Sequence, residues 1–357
     1  MNLFKLSSTS AGLLLVGGVI AYALGYPQWL APCFILFFIL LAIAFQWYPK
    51  LKGFSYTMVI LACFTAAVCY PQYFMQWGSF DLSTLITPSI QLIMFGMGTT
   101  MGLKDFSGLL KMPKSVLVGV CCQFTIMPLL GYAIAQLSGL PNEIAAGIVL
   151  IGCVPSGMAS NVIAYLAKAN VALSVTVTSI GTLLGPFFTP MLMKALAGEF
   201  IEIDAWQMMW DILKMVILPV GAGLLFNQLF HDKTRWLNIL MPYVSMFGIA
   251  FSIVVIAAAG RDNLLTVGPL LVLLVLIHNV LGYTVGYWAA RLFRLSERDC
   301  RTIAIEVGMQ NGGLASGLSK TMGRLATLGL AAAIFGPLMN VTGSILASWW
   351  QRKTPRD

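Results

Sequence analysis

Glu306-Val-Gly-Met-Gln-Asn-Gly-Gly-Leu-Ala-Ser-Gly317 decides the fold. The stretch lies where a long apolar helix should cross a membrane, yet it holds a carboxylate, two amides and four glycines. An ionisable side chain in hydrocarbon is costly, so Glu306 is expected to face a protein interior and to meet a cation or a donor there. Gly308, Gly312, Gly313 and Gly317 weaken the helix and permit close backbone approach. Freed carbonyls at membrane depth persist only where they line a polar cavity. The stretch therefore reads as a broken helix whose carbonyls and carboxylate hold a small cation. The alternative is a glycine-rich packing face with Glu306 protonated or paired to an arginine.

Composition agrees with a membrane chain. Of 357 residues 59% are hydrophobic and 10% charged, with a mean hydropathy of +0.86, and no soluble class combines these values. The implied class is an all-α polytopic membrane protein with the lipid bilayer as its partner. Lys and Arg exceed Asp and Glu by 21 to 13, but they sit in short loops, where they orient the chain. No basic face with interleaved aromatics exists to bind nucleic acid. The seven cysteines are odd in number and six lie inside apolar runs, so they read as small buried hydrophobes. There is no CxxC, HExxH or GxxxxGK[ST], and the two histidines are His231 and His278. Neither a zinc site nor a nucleotide-driven pump is encoded, and no organic cofactor is implied.

Two apolar segments open the chain, at 11–26 and 30–48, each near the minimum that spans a bilayer. Ala21-Tyr-Ala23 could pass for a signal-cleavage site, but Gly17, Gly18 and the adjoining second segment favour a retained hairpin. Ten further spans follow, numbered 1 to 10: 55–70, 84–102, 115–137, 143–166, 171–197, 207–228, 239–259, 265–290, 302–319 and 326–350. With the N-terminus inside, sixteen basic residues fall in inside loops or tails. Only Arg261, Lys320 and Arg324 fall outside, with Lys194 and Lys214 within spans. Both termini are therefore expected in the cytoplasm.

Aligning the spans exposes an internal repeat. Span 4 carries Gly152-Cys-Val-Pro-Ser-Gly-Met-Ala-Ser-Asn161 and span 9 carries the opening stretch. Gly185-Pro186 lies 24 residues beyond Asn161, and Gly336-Pro337 lies 25 beyond Asn311. Five spans separate the copies, an odd number, so the copies are inverted. Paired broken helices in inverted repeats point to a secondary transporter with its site near the midplane. The expected organisation is an extra transmembrane hairpin over 1–52, a first repeat over 53–200, and a second repeat with a short basic tail over 201–357.

The polar residues suit a hard alkali cation, which takes hydroxyl, carboxylate, amide and carbonyl oxygen. Ser160 and Asn161 stand at the break of span 4, and Ser174 and Thr178, spaced i and i+4, share one face of span 5. Gln123 lies in span 3, Gln310 and Asn311 follow the break of span 9, and Glu306 can bridge. Serine and threonine in membrane helices commonly bond back to their own carbonyls, which is the plainer account of Ser174 and Thr178. The N-terminal ends of the half-helices, near Pro155 to Met158 and Asn311 to Gly313, favour an anion. Asn340 is a further candidate donor or a helix–helix contact. His278-Asn279 reads as structural and interhelical.

The run 152–179 (GCVPSGMASNVIAYLAKANVALSVTVTS), the run 305–315 (IEVGMQNGGLA) and Met339-Asn-Val-Thr-Gly-Ser344 resemble the bacterial members of the bile acid:sodium symporter family. The likeness covers 57–350. It implies ten helices in inverted five-helix repeats, with spans 1, 2, 6 and 7 as a panel and spans 3 to 5 and 8 to 10 as a core in which spans 4 and 9 unwind and cross. Ser160, Asn161, Ser174, Thr178 and Glu306 would form a first sodium site. A second would use Gln123, Glu306, Gln310 and the carbonyls of Val307 and Met309. Met158, Ala159, Asn311, Gly312, Met339 and Asn340 correspond to substrate positions. Met158 replaces a threonine and Met339 a histidine found in relatives, so two polar contacts become thioethers. The resemblance implies a sodium-coupled importer of an organic anion, bile acid-like, pantoate-like or a keto acid, in a bacterial inner membrane, with two sodium ions per substrate and a monomer possible. The N-terminal hairpin has no counterpart in the ten-helix members, and packing against the panel is expected for it.

Three alternatives stay open at this point. An exporter of related fold, of arsenite or auxin type, would use Cys153 in the arsenite case. A proton-coupled carrier would work through Glu306 alone. An intramembrane hydrolase would need a base near Ser160, and none is near it in sequence.

Overall fold

The computed structural model describes residues 2–48, 51–102, 108–230 and 235–355. Lys50, Lys104, Lys233, Arg356 and His231 lie outside the described residues. The chain is an all-α polytopic membrane protein, and ten helices among the described residues are long and apolar enough to cross a bilayer. The departure from helix is a two-residue hairpin pairing Gln76–Trp77 with Phe80–Asp81, turned by Gly78 at φ 63°.

The helices are α1 (Asn2–Ala23), α2 (Leu30–Gln46), α3 (Ser55–Cys69), α4 (Ile86–Thr100), α5 (Pro113–Ser138), α6 (Asn142–Cys153), α7 (Ala159–Leu166) and α8 (Val171–Ala197). They continue as α9 (Ala205–Ile212), a π-helical stretch Leu213–Ile217, α10 (Leu218–Leu229), α11 (Arg235–Ala259), α12 (Arg261–Leu292), α13 (Glu297–Gly308), α14 (Gly312–Thr321) and α15 (Gly329–Gln351). Spans 4 and 9 of the sequence are therefore each two helices, α6/α7 and α13/α14.

Local chemistry marks the starts. Asn170 accepts from the Leu173 amide at 3.1 Å to cap α8, Asp204 from Trp206 and Gln207 to cap α9, and Ser296 from Asp299 at 3.2 Å to cap α13. Pro113 occupies the first turn of α5, where its missing N–H is harmless, and Gly139 follows the helix at φ 64°.

Two groups of helices emerge from the packing. In one, α4 lies against α10 and α11, and α11 against α3. Gly98 and Gly223 let α4 and α10 touch backbone to backbone, since a Cβ on Gly98 would fall 2.1 Å from the Val220 carbonyl oxygen. The other group gathers α5, α6, α8, α12, α13 and α15 around a fully buried interior that includes Ile148, Leu150, Ile303 and Phe335. The two half-helices behave differently. α14 reaches the first group, with Gly317 facing Ile90 and Met215, and Lys320 donating to Ser83 Oγ at 2.5 Å and lying 3.8 Å from Asp81. α7 packs on α8, α13 and α15, while its Val162 and Tyr165 are 61% and 72% exposed. Asp81 accepts two hydrogen bonds from Ser83, and these, with Lys320 nearby, hold its carboxyl below the usual carboxylate range.

The N-terminal hairpin packs α1 on α2 and α2 on α3, with Ser55 donating to the Ala42 carbonyl at 2.8 Å, so it joins the group containing α3. One expectation is corrected. Cys69 and Cys121 are exposed, although both lie in or beside apolar runs. In a bilayer the outer face of a helix is as apolar as its inner face, so an apolar run does not report burial.

Gly98→Ala is expected to destabilise the protein by about 1–3 kcal/mol through forced backbone separation. Gly221→Ala, where an added Cβ meets nothing within 4 Å, should leave stability unchanged or slightly higher. Thermal unfolding of both variants in detergent checks the pair.

Candidate functional site

The site is built where two helices stop in mid-membrane. Val154 precedes Pro155 and takes the extended conformation that proline imposes on its neighbour (φ −76°, ψ 154°), which ends α6 at Cys153. On the other side α13 ends at Gly308, Met309 is extended, and the Asn311 side chain accepts from the Leu314 amide at 3.0 Å to start α14. The two interruptions cross. Ser156 and Gln310 form an antiparallel bridge, in which Gly157 N–H donates to the Met309 carbonyl at 3.0 Å and Asn311 N–H to the Pro155 carbonyl at 2.9 Å. A side chain on Gly157 would bring its Cβ to 3.0 Å from the Gln310 carbonyl oxygen, which explains a glycine at the crossing.

Carbonyls freed by the breaks must find donors, because no water of the bilayer interior can supply them. Asn279 Nδ2 donates to the Gly308 carbonyl at 2.8 Å, and Gln123 Nε2 to that of Val154 at 3.1 Å. Thr189 donates to the Cys153 carbonyl at 2.8 Å, and Gln310 Nε2 to that of Val307 at 2.6 Å. Asn279 is held in turn by Thr342, which donates to its Oδ1 at 2.6 Å, and His278 contacts the Met127 carbonyl at 3.0 Å. Both residues are thus interhelical, as their sequence context suggests.

Glu306 is fully buried one turn before the crossing. Ser174 donates to its Oε1 at 2.5 Å, while Ser156 and Thr178 donate to Oε2 at 2.6 and 2.7 Å. Ser174 Oγ also lies 2.8 Å from Asn161 Oδ1, and Ser160 Oγ lies 3.3 Å from Thr178 Oγ1. Ser160, Asn161, Ser174, Thr178 and Glu306 therefore come together, drawn from α7, α8 and α13. No ion pair of Glu306 exists among the described residues. The nearby Arg301 instead bonds Glu297 at 2.9 Å and the carbonyls of Ala167, Trp350 and Lys353. Of the alternatives for Glu306, pairing with an arginine is therefore not found among the described residues.

The second expected group also assembles in part. Gln123 Nε2 donates to Gln310 Oε1 at 2.9 Å, beside the Val307 carbonyl, and both glutamines are buried. Gln123 Oε1 is buried without a donor, an open acceptor next to a row of backbone carbonyls. The Met309 carbonyl is taken up by Gly157 in the crossing. No hydrogen bond links either glutamine to the Glu306 carboxylate, whose oxygens turn toward the hydroxyls.

Met158 and Ala159 are half-buried at the start of α7, and Gly312 is half-buried at the start of α14, opposite Ala332 and Gly336 of α15. Asn311 is buried, with its carbonyl oxygen spent on the cap. Met339 is buried, and its carbonyl accepts from Tyr283 at 3.3 Å. Asn340 is half-buried and donates to Gly336 of its own helix at 3.0 Å, in place of the helix–helix contact considered for it. An asparagine can reach the carbonyl one turn back, a choice that no spacing rule reveals.

Ser156 is the residue that sequence analysis missed: it lies within the span 4 interruption, but its reach to Glu306 depends on the crossing. Ser160 meets Thr178 at 3.3 Å and also reaches the Glu306 carboxylate. Chemically, the assembled set is hydroxyl, carboxylate, amide and carbonyl oxygen, the donors of a hard monovalent or divalent cation.

Comparison with known proteins agrees with this chemistry. Residues 87–267 match the model of the sodium bile acid symporter family. The chain is 40% identical to the uncharacterized sodium-dependent transporter YocS of Bacillus subtilis, over 77% of this chain and 85% of that protein. It is 34% identical to the probable sodium/metabolite cotransporter BASS1 of Arabidopsis thaliana and 35% identical to that of Oryza sativa. These matches cover 75% and 76% of this chain, and 67% and 68% of the relatives. With two crossed half-helices around a buried acidic residue and this degree of likeness, the chain is a membrane transporter, not an enzyme, and belongs to the sodium bile acid symporter family.

Proposed function

We propose that the protein imports an organic anion by sodium symport, two sodium ions accompanying each substrate through alternating access. The observation that carries this reading is Glu306: a fully buried carboxylate with no cationic side chain paired to it among the described residues. Burying a carboxylate without compensating charge costs several kcal/mol even when hydroxyls donate to it, so a bound cation is the natural counter-charge. A first sodium ion would be held by Ser160, Asn161, Ser174, Thr178 and Glu306, whose hydroxyls turn to present lone pairs. A second would use Gln123, Gln310, Glu306 and the carbonyls of Val307 and Met309, and the undonated Gln123 Oε1 supports that assignment.

The anion would lie against the N-terminal ends of α7 and α14, near Met158, Ala159, Asn311, Gly312, Met339 and Asn340, where helix dipoles and adjacent sodium favour negative charge. Methionines at two of these positions suit an amphipathic or small carboxylate. The relatives include probable sodium/metabolite cotransporters, which supports a small-molecule substrate. Packing of α14 against the first helix group, with α7 left exposed, supports access from the side of α7. The distribution of basic residues supports that side as cytoplasmic, in a bacterial inner membrane with both termini inside. The inverted repeats, 53–200 and 201–357, would move as the group around α5, α8 and α12 shifts against the group around α4 and α11.

Glu306→Gln should abolish both sodium-driven accumulation in proteoliposomes and the thermal stabilisation that sodium confers on purified protein. The wild-type stabilisation should be about 2.7 kcal/mol per sodium site at a hundredfold excess over Kd. Accumulation by this variant with an unchanged sodium dependence would refute the site. Ser174→Ala, which removes one ligand, should raise the half-saturating sodium concentration by roughly tenfold, a loss of about 1.4 kcal/mol. Uptake of a monovalent anion with two sodium ions moves one net charge, so an interior-negative potential should drive it by about 2.3 kcal/mol per 100 mV. Uptake that follows a pH gradient and ignores sodium would establish proton coupling instead, and net outward flux under an inward sodium gradient would establish export.

A further inference from the structure

We infer that the groove between the C-terminal ends of α12 and α15 and the start of α13 is a binding site for an anionic phospholipid. The groove has a volume of about 450 Å³ and is separate from the hydroxyl cluster around Glu306. Its walls are aromatic and aliphatic, with Trp288, Trp349 and Leu346 along it and Tyr283 at its inner end. Trp288 and Trp349 are 65% and 51% exposed, the amphipathic rings expected at the level of lipid headgroups. Aromatic belts are common, but those on convex helix surfaces form no slot. Here the slot ends in charge.

That charge is positive. Lys353 and the buried Arg301 line the groove, Arg291 stands beside it, and the one acid lining it, Glu297, is already engaged. Glu297 accepts from Arg301 at 2.9 Å and from Tyr287 at 2.7 Å, and it lies 3.8 Å from Arg291. Arg301 also donates to the carbonyls of Trp350 and Lys353, which covers the partial negative charge at the end of α15 that would otherwise repel a phosphate. Lys353 forms no ion pair among the described residues. Its Nζ lies 3.7 Å from the centre of the Trp349 ring, over the apolar wall. A phosphate at Lys353 with an acyl chain along Trp349, Leu346 and Tyr283 matches both halves of the groove. Basic pockets between transmembrane helices at the cytoplasmic surface recognise anionic headgroups in this way. A free phosphate would satisfy the mouth and leave the slot unfilled, so the occupant is a lipid.

Thermal unfolding of the full chain in neutral detergent, titrated with dioleoylphosphatidylglycerol, dioleoylphosphatidylcholine or inorganic phosphate, tests the assignment. Phosphatidylglycerol should raise the midpoint by about 5 °C at saturation, and the other two should shift it little. Lys353→Glu should weaken the phosphatidylglycerol response by roughly tenfold in half-saturating concentration. Trp349→Ala should weaken it as well. Lys194→Glu, a charge reversal on the last turn of α8, at the opposite end of that helix from Asn170 and its bond to Asp299 of α13, should leave it intact. An undiminished response in Lys353→Glu, or one in Lys194→Glu as weak as in Lys353→Glu, would overturn the site. So would equal stabilisation by phosphatidylcholine or by inorganic phosphate.

Discussion

Two main-chain hydrogen bonds, from Gly157 to Met309 and from Asn311 to Pro155, hold the interior of this protein in register. They join two stretches of backbone that have left the helix and would otherwise carry unpaired groups at membrane depth. Once the stretches are tied to each other, four half-helices have their ends fixed around one point. Ser156, Ser174 and Thr178, from separate parts of the chain, then reach a single carboxylate. The polar cluster depends on the crossing, since Ser156 and Glu306 are 150 residues apart and meet only there.

Around that point the remaining polar residues act as local repairs. Asn279, Thr189 and Gln123 each satisfy a carbonyl that a break releases, and Thr342 steadies Asn279. A second tier lies at the end of the fold where α8 and α13 begin. There Asp299 accepts from Asn170 and Ser115 at 2.7 Å each, and Thr302 bonds the Asn170 main chain. With Arg301 spanning α7, α13 and α15, this tier fastens the starts of α5, α8 and α13 together. The cluster above is therefore fixed by packing below it as well as by its own bonds.

Much of this was legible in the sequence, for a physical reason. Glu306 and its glycines are so costly in an apolar span that only a broken helix with a polar interior accommodates them, and Val154-Pro155 ends its own helix by backbone sterics alone. Ser174 and Thr178 could be grouped because helical spacing sets their common face. What periodicity could not supply was direction across the break. Ser156 sits in an extended stretch with no helical phase, so its hydroxyl could not be aimed, and Asn340 could not be told from an interhelical donor until its partner proved to be Gly336. The exposure of Cys69 and Cys121 escaped for the reason that lipid and protein interior look alike to an apolar residue.

The hairpin α1–α2 meets the rest of the described chain chiefly along α3, and only 11% of the most apolar window of each of its helices is buried. An appendage of that kind enlarges the lipid-facing perimeter on one side without adding interior. The flank bearing α3 thus carries two added helices that face lipid over most of their surface.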